Sequence, residues 1–151
     1  MCRSKRRRAG IRLSRAATAL LVCCALSSAT LAEDAPLAIA RATTVDCKGV
    51  IDLMSTAPGV VVVDNRKQAD FDSGHIEGAI RVLDTDPTPE RLSAAVTSKA
   101  TPVLFYCNEV KCGSAANATA KAVEWGYASV YYYADGIHDW KAHHQLPLVT
   151  R

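Results

Sequence analysis

The sequence predicts an α/β domain with a mainly parallel sheet. Two observations carry this. Two apolar runs, Val60-Val61-Val62-Val63 and Val103-Leu104-Phe105-Tyr106, have no polar alternation, as strands buried on both faces require, and Ser129–Tyr133 is a third clear strand. Between them lie segments with helical punctuation, and strands that alternate with helices favour parallel pairing.

The elements follow in order. Thr44 can cap a short helix over 46–56, and Pro58-Gly59 ends it. Val60–Val63 is the first buried strand. Lys67–Asp72 forms one or two helical turns, and Ile80-Arg81-Val82 a short strand. Pro87 or Pro89 opens a helix that runs to about Thr97. Val103–Tyr106 is the second buried strand. An Ala-rich helix over 115–125 follows Gly113-Ser114 and stops at Gly126. Ser129–Tyr133 is the third strand, with Tyr131 to Tyr133 alternating between core and rim. Gly136 starts the last helix, around Trp140, and Pro147 stops it.

Residues 1–32 stand apart. They hold seven of the 18 Lys and Arg and none of the 15 acids. A basic start, an apolar run from Ala16 to about Leu26 and a small-residue end at Thr30-Leu31-Ala32 make a secretory signal peptide, cleaved after Ala32. The apolar run is short of the roughly 20 residues that span a bilayer, so no stable span is expected after cleavage; an uncleaved anchor is the alternative. The expected location is the bacterial periplasm or the exterior. Residues 33–42 read as a linker and 43–149 as one domain. Without the leader, 11 basic residues face 15 acids and the net charge is −4 rather than +3. No basic stripe remains, which argues against nucleic acid as a partner.

The six cysteines become three after cleavage: Cys47, Cys107 and Cys112. An odd number in an exported chain leaves a thiol to explain. Cys47 reads as a core thiol in the first helix. Cys107 directly follows a buried strand, where open parallel sheets place their ligand sites. The segment Asn108, Glu109, Val110, Lys111, Cys112, Gly113 and Ser114 leads into a helix N-terminus, so its amides form a candidate anion cradle. A cysteine there has its thiolate favoured and is a nucleophile; the competing reading is a small buried core residue. Cys112 is either a resolving thiol for Cys107 or a loop filler. His138, His143 and His144 cluster near the C-terminus, but no cysteine lies near them in sequence, so neither a metal nor another cofactor is expected.

Three motifs extend the argument. Asp64-Asn65-Arg66, Phe71 and Gly74-His75-Ile76-Glu77-Gly78-Ala79 resemble the first signature of the rhodanese family, D-x-R, an aromatic, then G-H-I-x-G-A. Phe105-Tyr106-Cys107 is similar to the strand that enters the rhodanese active-site loop. Glu124-Trp125-Gly126-Tyr127, Val130-Tyr131, Gly136-Ile137, Trp140-Lys141 and Leu146-Pro147 are similar to the family's C-terminal third. The resemblance covers about residues 43–149. It implies a central sheet of about five parallel strands with helices on both faces. It also implies sulfane-sulfur transfer through a Cys107 persulfide to a small sulfur compound or a protein thiol. Asp64, Arg66 and His75 are then structural supports of the loops. The usual loop, C-x-x-x-x-R-S, is departed from: Ser114 stands at the Arg position, Ala115 at the Ser, and Glu109 adds negative charge. An anionic donor such as thiosulfate thereby loses a bidentate partner. Asp135 stands where the family has Gly. Two alternatives remain beside sulfur transfer, namely a redox protein using Cys107 and Cys112, and a non-catalytic binding module. A phosphatase or arsenate reductase fits least without the loop Arg.

Overall fold

The computed structural model describes residues 34–82, 88–143 and 148–150; the expected leader, Leu146-Pro147 and His144 lie outside them. The chain runs β1 (Thr43–Thr44), α1 (Cys47–Thr56), β2 (Val61–Asp64), α2 (Gln68–Asp72), β3 (His75–Ile76), β4 (Ile80–Arg81), α3 (Pro89–Ala95), β5 (Val103–Tyr106), α4 (Gly113–Glu124), β6 (Val130–Tyr133), α5 (Gly136–Ala142) and β7 (Leu148–Val149). A five-stranded sheet has the order β1-β6-β5-β2-β4, and each pair in it is parallel. β5 is central, with Val61 to Asp64 in register with Val103 to Tyr106, and those with Val130 to Tyr133. β3 and β7 form a separate antiparallel pair.

The continuous apolar strands are buried on both faces, as parallel pairing demands. Val63, Phe105 and Tyr132 face α3 and α4, packing with Leu92, Val96, Ala118 and Ala122. Val62, Leu104, Tyr106 and Tyr133 face the other side, with Val50 and Leu53 of α1, Phe71 of α2, and Ile137 and Trp140 of α5. Each fully buried Val, Leu or Phe contributes on the order of 1.5–3 kcal/mol, so the sheet is the stable platform of the fold. Small side chains on α4 let its backbone lie close to the sheet. Its end is a Schellman turn: Gly126, at φ +84°, donates to the Val123 carbonyl and Tyr127 to that of Ala122.

Several local expectations are corrected. The cap of α1 is Asp46, whose carboxylate accepts from the Gly49 amide at 2.7 Å; Thr44 lies in β1 instead. α3 opens at Pro89, with Thr88 as its cap, and ends at Ala95 rather than Thr97. The two-residue strands β1, β3 and β7 were not expected. Nor is the segment before Thr43 a free linker: Ala35 is buried, and Ile39 packs against the same core as α4. Cys47 is buried, as expected. Tyr131 is half-buried while Tyr132 and Tyr133 are fully covered on opposite faces. No helix among the described residues is long and apolar enough to cross a membrane.

Candidate active site

Cys107 follows β5 at the carboxyl edge of the sheet and is 2% exposed. Its carbonyl accepts from the Ile137 amide at 2.9 Å, and the Asn108 carbonyl from His138 at 3.0 Å. The start of α5 thus grips the loop by its main chain. Gly136 makes that approach possible. It sits at φ +64°, and a Cβ there would lie 2.5 Å from the Cys107 carbonyl oxygen and 2.8 Å from that of Asn108. A second grip comes from the N-terminal segment, where the Ala35 amide donates to the Val110 carbonyl at 2.9 Å. A turn closed by Cys112 N to Glu109 O, 2.9 Å, then delivers the chain into α4, for which Cys112 is the N-cap residue.

Cys107 and Cys112 are joined in a disulfide, with their Cα atoms 6.2 Å apart. Cys112 is half-buried whereas Cys107 is buried, so the two residues differ in exposure. Of the expected cradle, Val110 turns inward and packs on the core. Lys111 and Gly113 are exposed, and Asn108, Glu109 and Ser114 are half-buried. The amides of Asn108, Glu109, Val110 and Lys111 donate to no acceptor among the described residues. Glu109 Oε2 lies 3.6 Å from Nδ1 of His138, an exposed pair that is ionic when the imidazole is protonated. Exposed pairs of this kind are worth little, about 0–1 kcal/mol.

Beside this loop, the turn after β2 is held by charge. Arg66 Nε and Nη2 fork onto the Asp64 carboxylate at 3.0 and 2.7 Å, and both residues are buried. Nη2 also donates to the Gly74 carbonyl at 2.8 Å. The Tyr106 hydroxyl donates to Asp64 Oδ2 at 2.5 Å and accepts from the Ile76 amide at 3.3 Å. Burial and the neighbouring Asp64 charge push the Tyr106 phenol well up, so it stays a protonated donor. Burial works against the Arg66 charge, but the hydrogen bonds and charge of Asp64 outweigh it and the guanidinium pKa is raised. His75 is buried, stacks on Phe71 at 3.7 Å between centroids and bonds the Phe71 carbonyl through Nδ1 at 2.9 Å. Asp64, Arg66 and His75 therefore hold loops in place.

Sequence reasoning missed Tyr106 as a member of the ion-pair network, Gly136 as the point of close approach, and Ala35 as a loop contact. Only Gly136 carried a signal, because a glycine at a helix start before an apolar residue often marks tight backbone packing. No three potential metal ligands come together around Cys107 among the described residues. Cys47, Asp139 and His143 do come together, further along α5.

Comparison with known proteins agrees with this geometry. The rhodanese-like domain family matches residues 48–143. The uncharacterized protein YibN of Escherichia coli K12 is 36% identical over 90 residues, 59% of this chain and 60% of that one. The match thus spans less than two thirds of this curated relative. Among solved structures, BH2092 from Bacillus halodurans has a TM-score of 0.62 at 24% identity, over 72% of this chain and 77% of that one. The thiosulfate sulfurtransferase from Pseudomonas aeruginosa has a TM-score of 0.61 at 18% identity, over 72% of this chain and 20% of that one. The E. coli rhodanese with anions has a TM-score of 0.50 at 27% identity, over 61% and 99%.

Proposed function

The chain belongs to the rhodanese-like domain family, and from that premise we propose that it is an exported sulfurtransferase in which Cys107 carries the sulfur and Cys112 resolves it. The observation that carries the proposal is the placement of Cys107. It sits at the carboxyl end of the central strand, under a loop with unengaged amides, with a second cysteine in bonding reach.

The reaction divides into steps that balance. The Cys107 thiolate attacks the outer sulfur of a sulfane donor. The donor's S–S bond breaks, the remainder leaves with the electron pair, and Cys107 becomes a persulfide. An acceptor nucleophile, a thiolate in the simplest case, then takes the outer sulfur and Cys107 departs as thiolate. Where no acceptor arrives, the Cys112 thiolate attacks Sγ of Cys107. The outer sulfur leaves as hydrosulfide and the disulfide forms. In the joined state Cys112 Sγ stands where the sulfane sulfur of the loaded enzyme would be. An external dithiol restores the thiols. It attacks the sulfur of Cys112, the more exposed residue of the pair, and Cys107 is the leaving thiolate.

The basic start and short apolar run of residues 1–32, read as a signal peptide, support an extracytoplasmic setting, where a resolving cysteine would protect Cys107 from irreversible oxidation to the sulfinic acid. The disulfide also supports a second reading, a thiol–disulfide redox protein. Intact mass separates the two. The reduced protein is incubated with a sulfane-sulfur donor and mapped. A gain of one sulfur on Cys107, absent in Cys107→Ser and longer-lived in Cys112→Ala, is expected. Loss of two hydrogens in the wild type, with no sulfur-bearing species on Cys107 in Cys112→Ala, where that species could not be resolved, would replace sulfur transfer with the redox reading.

A further inference from the structure

The geometry points to a divalent-metal site formed by Cys47, Asp139 and His143. Cys47 lies far from Asp139 and His143 in sequence, which is why the histidines near the C-terminus gave no reason to expect one. In the fold, one ligand atom from each lies within 4.8 Å of the others.

Three features favour a site over a chance gathering. Asp139 and His143 are four apart, Asp139 within α5 and His143 its C-cap, a spacing that places two side chains on one face. Cys47 is the first residue of α1 and brings a buried thiol from a different element. The carboxylate is also held from behind: the Tyr133 hydroxyl donates to Asp139 Oδ2 at 2.6 Å, the kind of outer partner that orients metal ligands. Tyr133 ends β6, so the cluster ties α1, β6 and α5 together.

The donor set defines the ion. One thiolate, one imidazole and one carboxylate suit a zinc-like cation, with the fourth position left to water at the exposed His143 side. Bonds of about 2.0–2.3 Å place tetrahedral ligand atoms roughly 3.3–3.8 Å apart. The cluster must therefore contract, and His143, exposed and with Nδ1 bonded to the Asp139 carbonyl at 2.8 Å, is the ligand that shifts inward, presenting its other ring nitrogen. Burial pushes the Cys47 thiol up; a hydrogen bond with Tyr133 opposes this, and the charges of Asp139 and Asp46 add to it. Without metal the group stays a thiol. Binding releases its proton to solvent, and the cation then offsets the thiolate and the carboxylate. Because α5 also grips the Cys107 loop through the Ile137 and His138 amides, occupancy would stiffen the anchor of the active site.

The test uses the full chain with Cys2, Cys23 and Cys24 replaced by serine and the Cys107–Cys112 disulfide kept oxidised, so that Cys47 is the remaining thiol. Titration with Co²⁺ should saturate at one equivalent with a thiolate-to-cobalt charge-transfer band, and Zn²⁺ should displace it. Cys47→Ser should lose the band. His143→Ala, an exposed change that leaves the core intact, should lose saturable binding. Tyr133→Phe should weaken it by about 10–100-fold. Zn²⁺ should also slow alkylation of Cys47. Cobalt binding without the charge-transfer band, binding unchanged in His143→Ala, or no saturation at all would overturn the site.

Discussion

The turn that follows β2 and the loop that follows β5 lie side by side at the carboxyl edge of the sheet, yet different forces hold them. The first is fixed by side chains: the Asp64–Arg66 fork, the Tyr106 hydroxyl and the Gly74 carbonyl, all buried. The second is fixed by main chain, through the Ile137, His138 and Ala35 amides, and by one reversible covalent bond. The difference separates two tasks. A wall that never changes state can be built from buried charge, which is stable only when complete. Under the proposed function the second loop would cycle between thiol, persulfide and disulfide, and such a loop needs an anchor that leaves its side chains free.

The largest effect should come from breaking the charged wall. Arg66→Leu leaves the Asp64 carboxylate buried without its partner, and such truncations cost about 3–5 kcal/mol. Urea unfolding should show a loss of that size. Replacing both residues, Asp64→Leu with Arg66→Leu, should lose less than the two single changes summed, because neither charge is then stranded. An Arg66→Leu protein as stable as the parent would mean that the network is decoration.

The loop side should respond next, and differently. Gly136→Ala meets the carbonyl oxygens of Cys107 and Asn108 at a backbone that cannot give way, in a region that L residues rarely adopt. A loss of about 2 kcal/mol or more is expected, with altered Cys107 reactivity once reduced. Gly59→Ala, at φ +82° but facing open space, should show the backbone effect alone, about 1–2 kcal/mol, and leave Cys107 unaffected. Equal effects of the two on Cys107 would remove Gly136 from the anchor.

Tyr106→Phe should fall below both. It deletes one donor to Asp64 and one acceptor for the Ile76 amide. Lost buried hydrogen bonds are worth about 1–3 kcal/mol, and the Arg66 fork remains to hold the turn. Differential unfolding of Tyr106→Phe and Arg66→Leu ranks the two contributions.

What the sequence made legible follows from how far each signal reaches along the chain. β2, β5 and β6 are four-residue runs, buried throughout in β5 and at three of four positions in β2 and β6, and a run that long needs no partner to be recognised. β1, β3 and β7 have two residues each, too short for a period, and exist because a neighbour supplies hydrogen bonds. The α1 cap fell to Asp46 over Thr44 because the carboxylate reaches the Gly49 amide from the position just outside the helix. Cys107 and Cys112 were readable because a strand end and a helix start bracket them. The partners of their loop, Ala35 and Gly136, and the gathering of Cys47 with Asp139 and His143, are facts of tertiary placement that no local pattern encodes.

The smallest expected effect concerns the charge at the mouth of the loop. Glu109 is half-buried, with its carboxylate toward His138, while Lys111 is exposed and makes no ion pair among the described residues. Ser114, in the first turn of α4, stands where the resemblance places a guanidinium. An anionic donor therefore meets a weakened electrostatic welcome. One carboxylate about 7 Å away in a water-like medium opposes a dianion such as thiosulfate by about 1.2 kcal/mol, a factor of roughly seven. Glu109→Gln should raise kcat/KM for thiosulfate by about that factor at low salt. About half of that free energy should be screened near 0.1 M salt, where the Debye length is about 10 Å. Ser114→Arg should gain more, because a guanidinium adds directed hydrogen bonds as well as charge, and that part should survive salt. A neutral or cationic persulfide donor should respond to neither change. If wild-type turnover of thiosulfate is already fast and insensitive to both substitutions and to salt, the loop amides alone hold the anion, and the rim charges play no part in choosing the donor.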